Sequence, residues 1–393
     1  MFNVLKLKYA LRLFLGILIL IIMRFSSNYM RHKTYKSRFA KGSIGTSTAS
    51  HPDVTTSSKG NKSSPGGVIL LAKTRSGSSF VGEIFNRKPG ISYFYEPLFP
   101  FGICPRNESN SAEQYFPSVL RLNFTQAWQS YLRGEKLSKR HDDGGCISRK
   151  ICFPDCLKCS QFLSRDSDIC RTPVGNHACP KEIDLEKLSE IVAKSELMAF
   201  KVVYLCDISW IQPLLDNPEL DLKIVHLVRD PRAMFNSKLQ YHQKYSDAAT
   251  NLSNLSYTYS VSINRLCQHM THLVKYSDLH LIHSSMYMRV RFEEFAVDPI
   301  RWTEKIYKFV DIKMDESIVQ WLKKATSETN SNSESFSTTR NSKDVVTRWM
   351  KQLPWKYVTQ LQRECDYVMK SLGYIMFDDE RSMRNYALSG YHF

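Results

Sequence analysis

Apolar residues in this chain gather in short unbroken runs, each closed by a polar turn, with longer mixed stretches between them. Val68–Ala72 (VILLA), Ala199–Leu205 (AFKVVYL) and Leu222–Val228 (LKIVHLV) are such runs. A strand with one wet face would alternate, so a continuous run predicts a strand buried on both faces of a parallel sheet. Ile91–Tyr95 and Met286–Phe292 (MYMRVRF) read as two further strands. The stretches between predict helices. One follows the polar turn Lys73–Ser79 and runs through Phe85; others cover Arg232–Tyr241 behind an Asp-Pro start, Tyr257–Tyr276, Pro299–Val310, Glu316–Ala325 and Trp355–Leu372. Ser327–Thr339, rich in Ser, Thr and Asn, reads as a loop. Strands alternating with helices predict an α/β domain with a central, mainly parallel sheet flanked by helices.

A different pattern opens the chain. Leu13–Met23 (LFLGILILIIM) is eleven uninterrupted apolar residues, with Arg12 and Arg24 at its edges. The run is short for a membrane span, but both arginines can snorkel to the interfaces and extend it. This predicts a cytoplasmic tail over 1–9 and an uncleaved signal anchor over 10–25. A polar, flexible stem then covers 26–66, a lumenal domain 67–380, and a tail 381–393. A cleaved signal peptide is the rival, for which MRFSSNYMRHK downstream offers a poor cleavage site. Basic residues lie on both sides of the run, more of them after it, so the positive-inside rule alone points the other way. The lumenal placement rests instead on ten cysteines and on five sequons, at Asn61, Asn107, Asn123, Asn251 and Asn254.

Composition narrows the classes. Apolar residues make up 42% and charged residues 23%, which excludes a wholly disordered chain, a collagen-like fibre and a multi-span membrane protein. The net charge is +16, but residues 1–65 hold +10 of it and the rest only +6. The basic excess lies mostly outside the folded domain and does not point to nucleic acid. A mildly basic body suits an anionic ligand.

Two stretches carry the chemistry. Lys73-Thr74-Arg75-Ser76-Gly77-Ser78-Ser79-Phe80 sits between a buried strand and a helix. Such a turn aims backbone N–H groups and a helix N-terminus at one point, which makes an anion site. Gly77 allows close backbone approach, the serines add hydroxyls, and Arg75 adds a planar two-pronged donor. The GxxxxGK[ST] spacing is absent, which disfavours a nucleotide kinase, ATPase or GTPase. The second stretch, Arg229-Asp230-Pro231-Arg232, ends another buried strand, with Ser237 in the helix that follows. Ligands of open α/β sheets bind at this strand edge. Either stretch alone could be an ordinary turn with solvated side chains.

Together the two stretches resemble the sulfotransferase superfamily, its 5′-phosphosulfate loop and its 3′-phosphate element respectively. TRSGSSFVGEIFN at Thr74–Asn86, YEPLF at Tyr95–Phe99 and LVRDPRA at Leu227–Ala233 look like the Golgi carbohydrate 6-O-sulfotransferases. Further similarity lies in VRFEEFAVDP at Val290–Pro299, TTRNS at Thr338–Ser342 and LQRECDYVMKSLGY at Leu361–Tyr374. The resemblance implies a P-loop-like sulfotransferase fold. It also implies 3′-phosphoadenosine 5′-phosphosulfate as donor, a galactose or N-acetylgalactosamine acceptor in keratan- or chondroitin-type glycans, and no metal. An N-acetylglucosamine acceptor and a non-catalytic binder of sulfated glycans remain the alternatives. The location implied is the Golgi membrane, single-pass type II, with a homodimer among the expected partnerships. Arg75 and the loop would hold the 5′ group, and Arg229 with Ser237 the 3′-phosphate. Glu96, following the second strand, is the candidate general base, the other reading being that it only orients the acceptor. Several relatives carry Trp-Arg after the Arg-Asn-Ser motif; here the residues are Arg348-Trp349-Met350-Lys351.

Cys146, Cys152, Cys156, Cys159, Cys170 and Cys179 fall in a loop-rich insertion at about 140–182. Disulfides suit a lumenal protein better there than half a zinc site, and the pairing stays open. Cys206, Cys267 and Cys365 lie in the predicted body. His269 and His272 share a helix face without a third ligand. Glu293 and Glu294 read as capping charges at a helix start.

Overall fold

The computed structural model describes residues 65–98, 118, 120, 121, 123, 185–205, 207–245, 252–327 and 342–389. The chain divides into two units, Met1–Asn61 and Lys62–Phe393, and the described residues belong to the second. The anchor at 10–25, the cysteine-rich insertion, Cys206 and the sequons at Asn61, Asn107 and Asn251 lie outside them. Among the described residues no helix is long and apolar enough to cross a membrane.

Five strands, β1 (Gly66–Leu71), β2 (Ile91–Tyr95), β3 (Leu197–Val202), β4 (Leu222–Val228) and β5 (Tyr287–Arg291), form one parallel sheet in the order β2-β3-β1-β4-β5. The apolar runs of β1 and β3 are buried at almost every position because helices cover both faces. The register aligns Leu71 with Val202 on one side and with His226 on the other. The C-terminal ends of β3, β1 and β4 therefore lie side by side, and whatever follows each strand emerges at one edge.

Helices α1 (Ser78–Arg87), α2 (Leu185–Ala193), α7 (Pro299–Phe309) and α8 (Glu316–Ser327) pack with the sheet in one apolar cluster. A short 3-10 turn (Ile208–Ile211) and α3 (Gln212–Leu215) lead into β4. A second cluster joins α4 (Pro231–Tyr245), α5 (Leu252–His280), α9 (Ser342–Gln352), α10 (Trp355–Glu364), α11 (Asp366–Ser371) and α12 (Glu380–Ser389). Helix α6 (Phe292–Val297) begins where β5 ends.

Several predicted bounds change. The run Ala199–Leu205 is strand only to Val202, and Phe292 opens α6 instead of closing β5. The predicted helix Trp355–Leu372 divides at Cys365, which forms a disulfide with Cys267 of α5 and closes a separation of 98 residues. The sequence pattern predicts none of helices α2, α3, α9 and α12. Of the expected tail 381–393, residues 381–389 lie in α12, where Met383 is fully buried and the Arg384 guanidinium donates to the Met350 and Leu353 carbonyls; 390–393 lie outside the described residues. Asn123 is exposed, and Asn254 lies in α5.

Candidate active site

The loop 72–77 leaves the centre of the sheet and turns into α1. Arg75 (φ 68°) and Gly77 (φ 91°) are both left-handed. A Cβ at Gly77 would lie 2.2 Å from the Phe292 ring, so space and backbone both demand glycine there. Gly77 caps α1 without a side chain, which leaves the helix N-terminus open to an anion. Ser76 is 1% exposed, and its Oγ has no hydrogen-bond partner among the described residues. Ser78 is buried and Thr74 exposed. Phe80 packs edge-on against Phe295, with ring centroids 5.7 Å apart, and adds to the core.

The second stretch meets this loop directly. Arg75 donates from Nε to Ser237 Oγ at 3.0 Å, and its guanidinium lies over the Tyr241 ring. Arg229 donates from Nη1 to the Arg75 carbonyl at 3.0 Å and from Nη2 to the Val345 carbonyl at 3.3 Å. Its Nε has no partner among the described residues, and its guanidinium stacks on Phe292 at 4.5 Å. Burial pushes Arg229 down to about 10; the Arg75 charge adds to this, while Glu293 and Asp230 oppose it. Burial also pushes Lys73 down to about 8. His226, pushed down to about 3 by burial and by Arg289, is a neutral ring whose Nδ1 lies 2.8 Å from the Tyr287 hydroxyl. A narrow cleft lined by Lys73, Ser76, His226 and Arg229 gathers these groups.

Asp230 and Arg232 face each other instead of the cleft. Each side chain is 1% exposed, and Arg232 donates to Asp230 from Nε at 3.0 Å and from Nη2 at 2.8 Å. The Arg232 guanidinium lies under Trp349 at 4.3 Å, so Trp349 and Arg232 shape the turn from inside the second cluster. Pro231 opens α4, where its missing N–H is not needed.

Glu96 follows β2 with φ 53°, and its N–H donates to the Lys201 carbonyl at 2.9 Å. Its Oε1 accepts a 2.6 Å bond from Lys201 Nζ. Lys201 lies in β3 with its ammonium 3.6 Å from the Tyr95 ring centroid and 3.4 Å from Ser79 Oγ. Burial alone would lower the lysine, but the Glu96 charge and hydrogen bond lift it above its ordinary range. Glu96 is thereby joined through one cation to the start of α1. Sequence reading passed over Lys201 as part of an apolar run. Its signal was a lysine inside a strand that must be buried on both faces, which requires a countercharge. Glu293 lies in the first turn of α6, as expected of a capping charge, and is also 1% exposed, a burial that its helix-start position does not reveal.

Orphaned polar atoms on Ser76 and Arg229, a glycine no Cβ can replace and a cluster of buried cations fit a ligand with more than one anionic group. Among the described residues no three His, Cys, Asp or Glu side chains are grouped to hold a metal ion. Comparison with known proteins agrees with the sequence resemblance. Mouse carbohydrate sulfotransferase 3 is 28% identical over 345 residues, 82% of this chain and 71% of that protein. Rat carbohydrate sulfotransferase 1 is 26% identical over 357 residues, 82% of each. A structure of mouse sulfotransferase SULT7A1 complexed with PAP aligns with a TM-score of 0.40 at 11% identity, covering 83% of this chain and 89% of that one. A sequence profile described as the sulfotransferase domain matches residues 174–373, just over half of the 393 residues, and the chain belongs to the sulfotransferase family.

Proposed function

We propose that the chain is a carbohydrate sulfotransferase. It moves the sulfuryl group of 3′-phosphoadenosine 5′-phosphosulfate to the 6-hydroxyl of galactose or N-acetylgalactosamine in keratan- or chondroitin-type glycans. The observation that carries this reading is the hydrogen-bonded series Arg229–Arg75–Ser237. It brings Arg229 and Ser237, 154 and 162 residues from Arg75 in sequence, onto the loop that follows β1. The names of the curated relatives support a carbohydrate acceptor.

In this reading Arg75, Lys73 and the first amides of α1 hold the 5′-phosphosulfate, while Arg229 and Ser237 hold the 3′-phosphate. The donor supplies the sulfuryl group; the protein supplies position and charge, as in phosphoryl transfer. Arg75 stabilises the negative charge that grows on the leaving oxygen. Glu96 takes the proton of the attacking sugar hydroxyl. Lys201 binds that base to Ser79, so that acceptor and donor sides keep one spacing. The domain works in the Golgi lumen behind the anchor at 10–25, a placement that the Cys267–Cys365 disulfide supports.

The test is transfer of radiolabelled sulfate by the full-length chain in detergent. Desulfated keratan, desulfated chondroitin and N-acetylglucosamine-terminated glycans serve as acceptors. The expected label is on the keratan or chondroitin acceptor, with Arg75→Ala and Glu96→Gln each reducing it by about 10²- to 10⁴-fold. Label on N-acetylglucosamine alone would replace the acceptor, and persistence of label with Glu96→Gln would remove the base.

A further inference from the structure

Glu293 is a buried carboxylate for which the transfer reaction has no direct use. We propose that it is a positioning residue for Arg229, holding the turn between β4 and α4 so that the guanidinium meets the 3′-phosphate, and that Tyr374 latches it in place; this rests on the donor reading above.

Both carboxylate oxygens of Glu293 are occupied. Oε1 accepts the Asp230 N–H at 2.9 Å and Oε2 accepts the Tyr374 hydroxyl at 3.1 Å, both bonds fully buried. Asp230 is the residue directly after Arg229, so its N–H belongs to the peptide unit that fixes the Arg229 carbonyl end. Asp230 in turn accepts the Arg232 N–H at 2.8 Å and grips the Arg232 guanidinium. The turn is thus pinned from α6 on one side and from α4 on the other.

Glu293 makes no hydrogen bond with Arg229 among the described residues; the Arg229 donors that are engaged go to the Arg75 and Val345 carbonyls. A carboxylate bonded to the guanidinium would compete with a phosphate. One bonded to the next amide gives a countercharge and a fixed direction while leaving the Arg229 Nε for a ligand. Tyr374 is 4% exposed, follows α11, and has the Arg291 guanidinium over its ring at 4.7 Å. The latch therefore ties the C-terminal helices to the phosphate site.

The experiment measures, by calorimetry on the full-length chain, binding of adenosine 3′,5′-bisphosphate and of adenosine 5′-monophosphate. The ratio of the two affinities isolates the 3′-phosphate. A displaced charged donor loses roughly 10- to 100-fold in affinity. Glu293→Ala is expected to cut the preference for the bisphosphate by about tenfold or more while monophosphate binding holds. Glu293→Gln, which still offers an oxygen to the Asp230 N–H, should restore the preference to within about threefold of the parent. Tyr374→Phe removes the hydroxyl that reaches Glu293 but keeps the ring under Arg291, and should lower the preference about threefold, which keeps the test alive if Glu293→Ala does not fold. In the transfer assay the same variants should raise KM for the donor and spare kcat. The proposal is overturned if Glu293→Ala or, should that variant not fold, Tyr374→Phe keeps the full preference. It is overturned too if both nucleotides weaken in step, which marks general loosening, or if Gln falls as far as Ala, which marks charge alone. A parent chain with no preference for the bisphosphate would sink the donor reading first, and this inference with it.

Discussion

Lys201 and Glu96 offer a sharp test of the site's electrostatics. Their side chains are 2% and 11% exposed and meet at 2.6 Å. Removing one partner of a buried ion pair costs about 3–5 kcal/mol, because the other charge stays buried. Lys201→Met strands the carboxylate, whose remaining exposure places the expected loss near the lower end, about 3 kcal/mol. Glu96→Gln strands the ammonium but leaves it an amide oxygen, the Ser79 hydroxyl and the Tyr95 ring, for a loss of about 2 kcal/mol. In the double variant neither charge is stranded. It should lose about 3 kcal/mol instead of about 5, a coupling of about 2 kcal/mol. Urea unfolding of the four proteins, with midpoints and slopes compared, reads the cycle directly. Single losses that add to within about 0.5 kcal/mol would refute the argument, because uncoupled groups behave that way.

Other consequences are open to simpler measurements. Gly77→Ala forces a Cβ to 2.2 Å from Phe292 at a left-handed backbone, so it should lose roughly 3 kcal/mol in a denaturant melt and most nucleotide affinity; wild-type stability would show that the loop relaxes. Lys73 titrates near 8 when folded against 10.5 unfolded, so the unfolded chain alone holds the proton between those values. Stability contributed by this site should rise with pH across that window and be lowest below it, and Lys73→Met should flatten the rise. A nucleotide that draws charge back onto Lys73 should be bound with proton uptake just above pH 8, visible as a buffer-dependent binding enthalpy. Replacing Cys267 and Cys365 together by serine opens a closure of 98 residues, for an expected loss of about 4 kcal/mol in unfolding free energy, checked against the reduced parent.

The sheet and the loop after β1 were legible in the chain for a common reason: both are local. A parallel strand buried on both faces writes itself as VILLA or LKIVHLV, and Thr74–Phe80 holds its chemistry within one turn. What escaped is what tertiary structure makes. Lys201 and Glu96 are 105 residues apart, and only the pairing of β2 with β3 brings them together. Glu293 has the first-turn position of a helix cap, which says nothing of its burial, and Tyr374, 81 residues on, closes over it. The break at Cys365 interrupts a helical period that is otherwise continuous, since the covalent link to α5 holds the chain there. Asp230 and Arg232 looked like ligand contacts because they follow Arg229 within three residues; their mutual pairing is invisible without the turn that folds one onto the other.

The strand order carries one more consequence. Since β1 lies between β3 and β4, and β3 also pairs with β2, the four strands that carry or lead into Arg75, Lys201, Glu96 and Arg229 are laced by one backbone ladder. Each of these groups stands within a few residues of the last rung, with little slack to wander. The spacing between them is therefore set by the sheet itself. A ligand that binds at this edge meets groups whose spacing folding has already set, which lowers the ordering cost of binding.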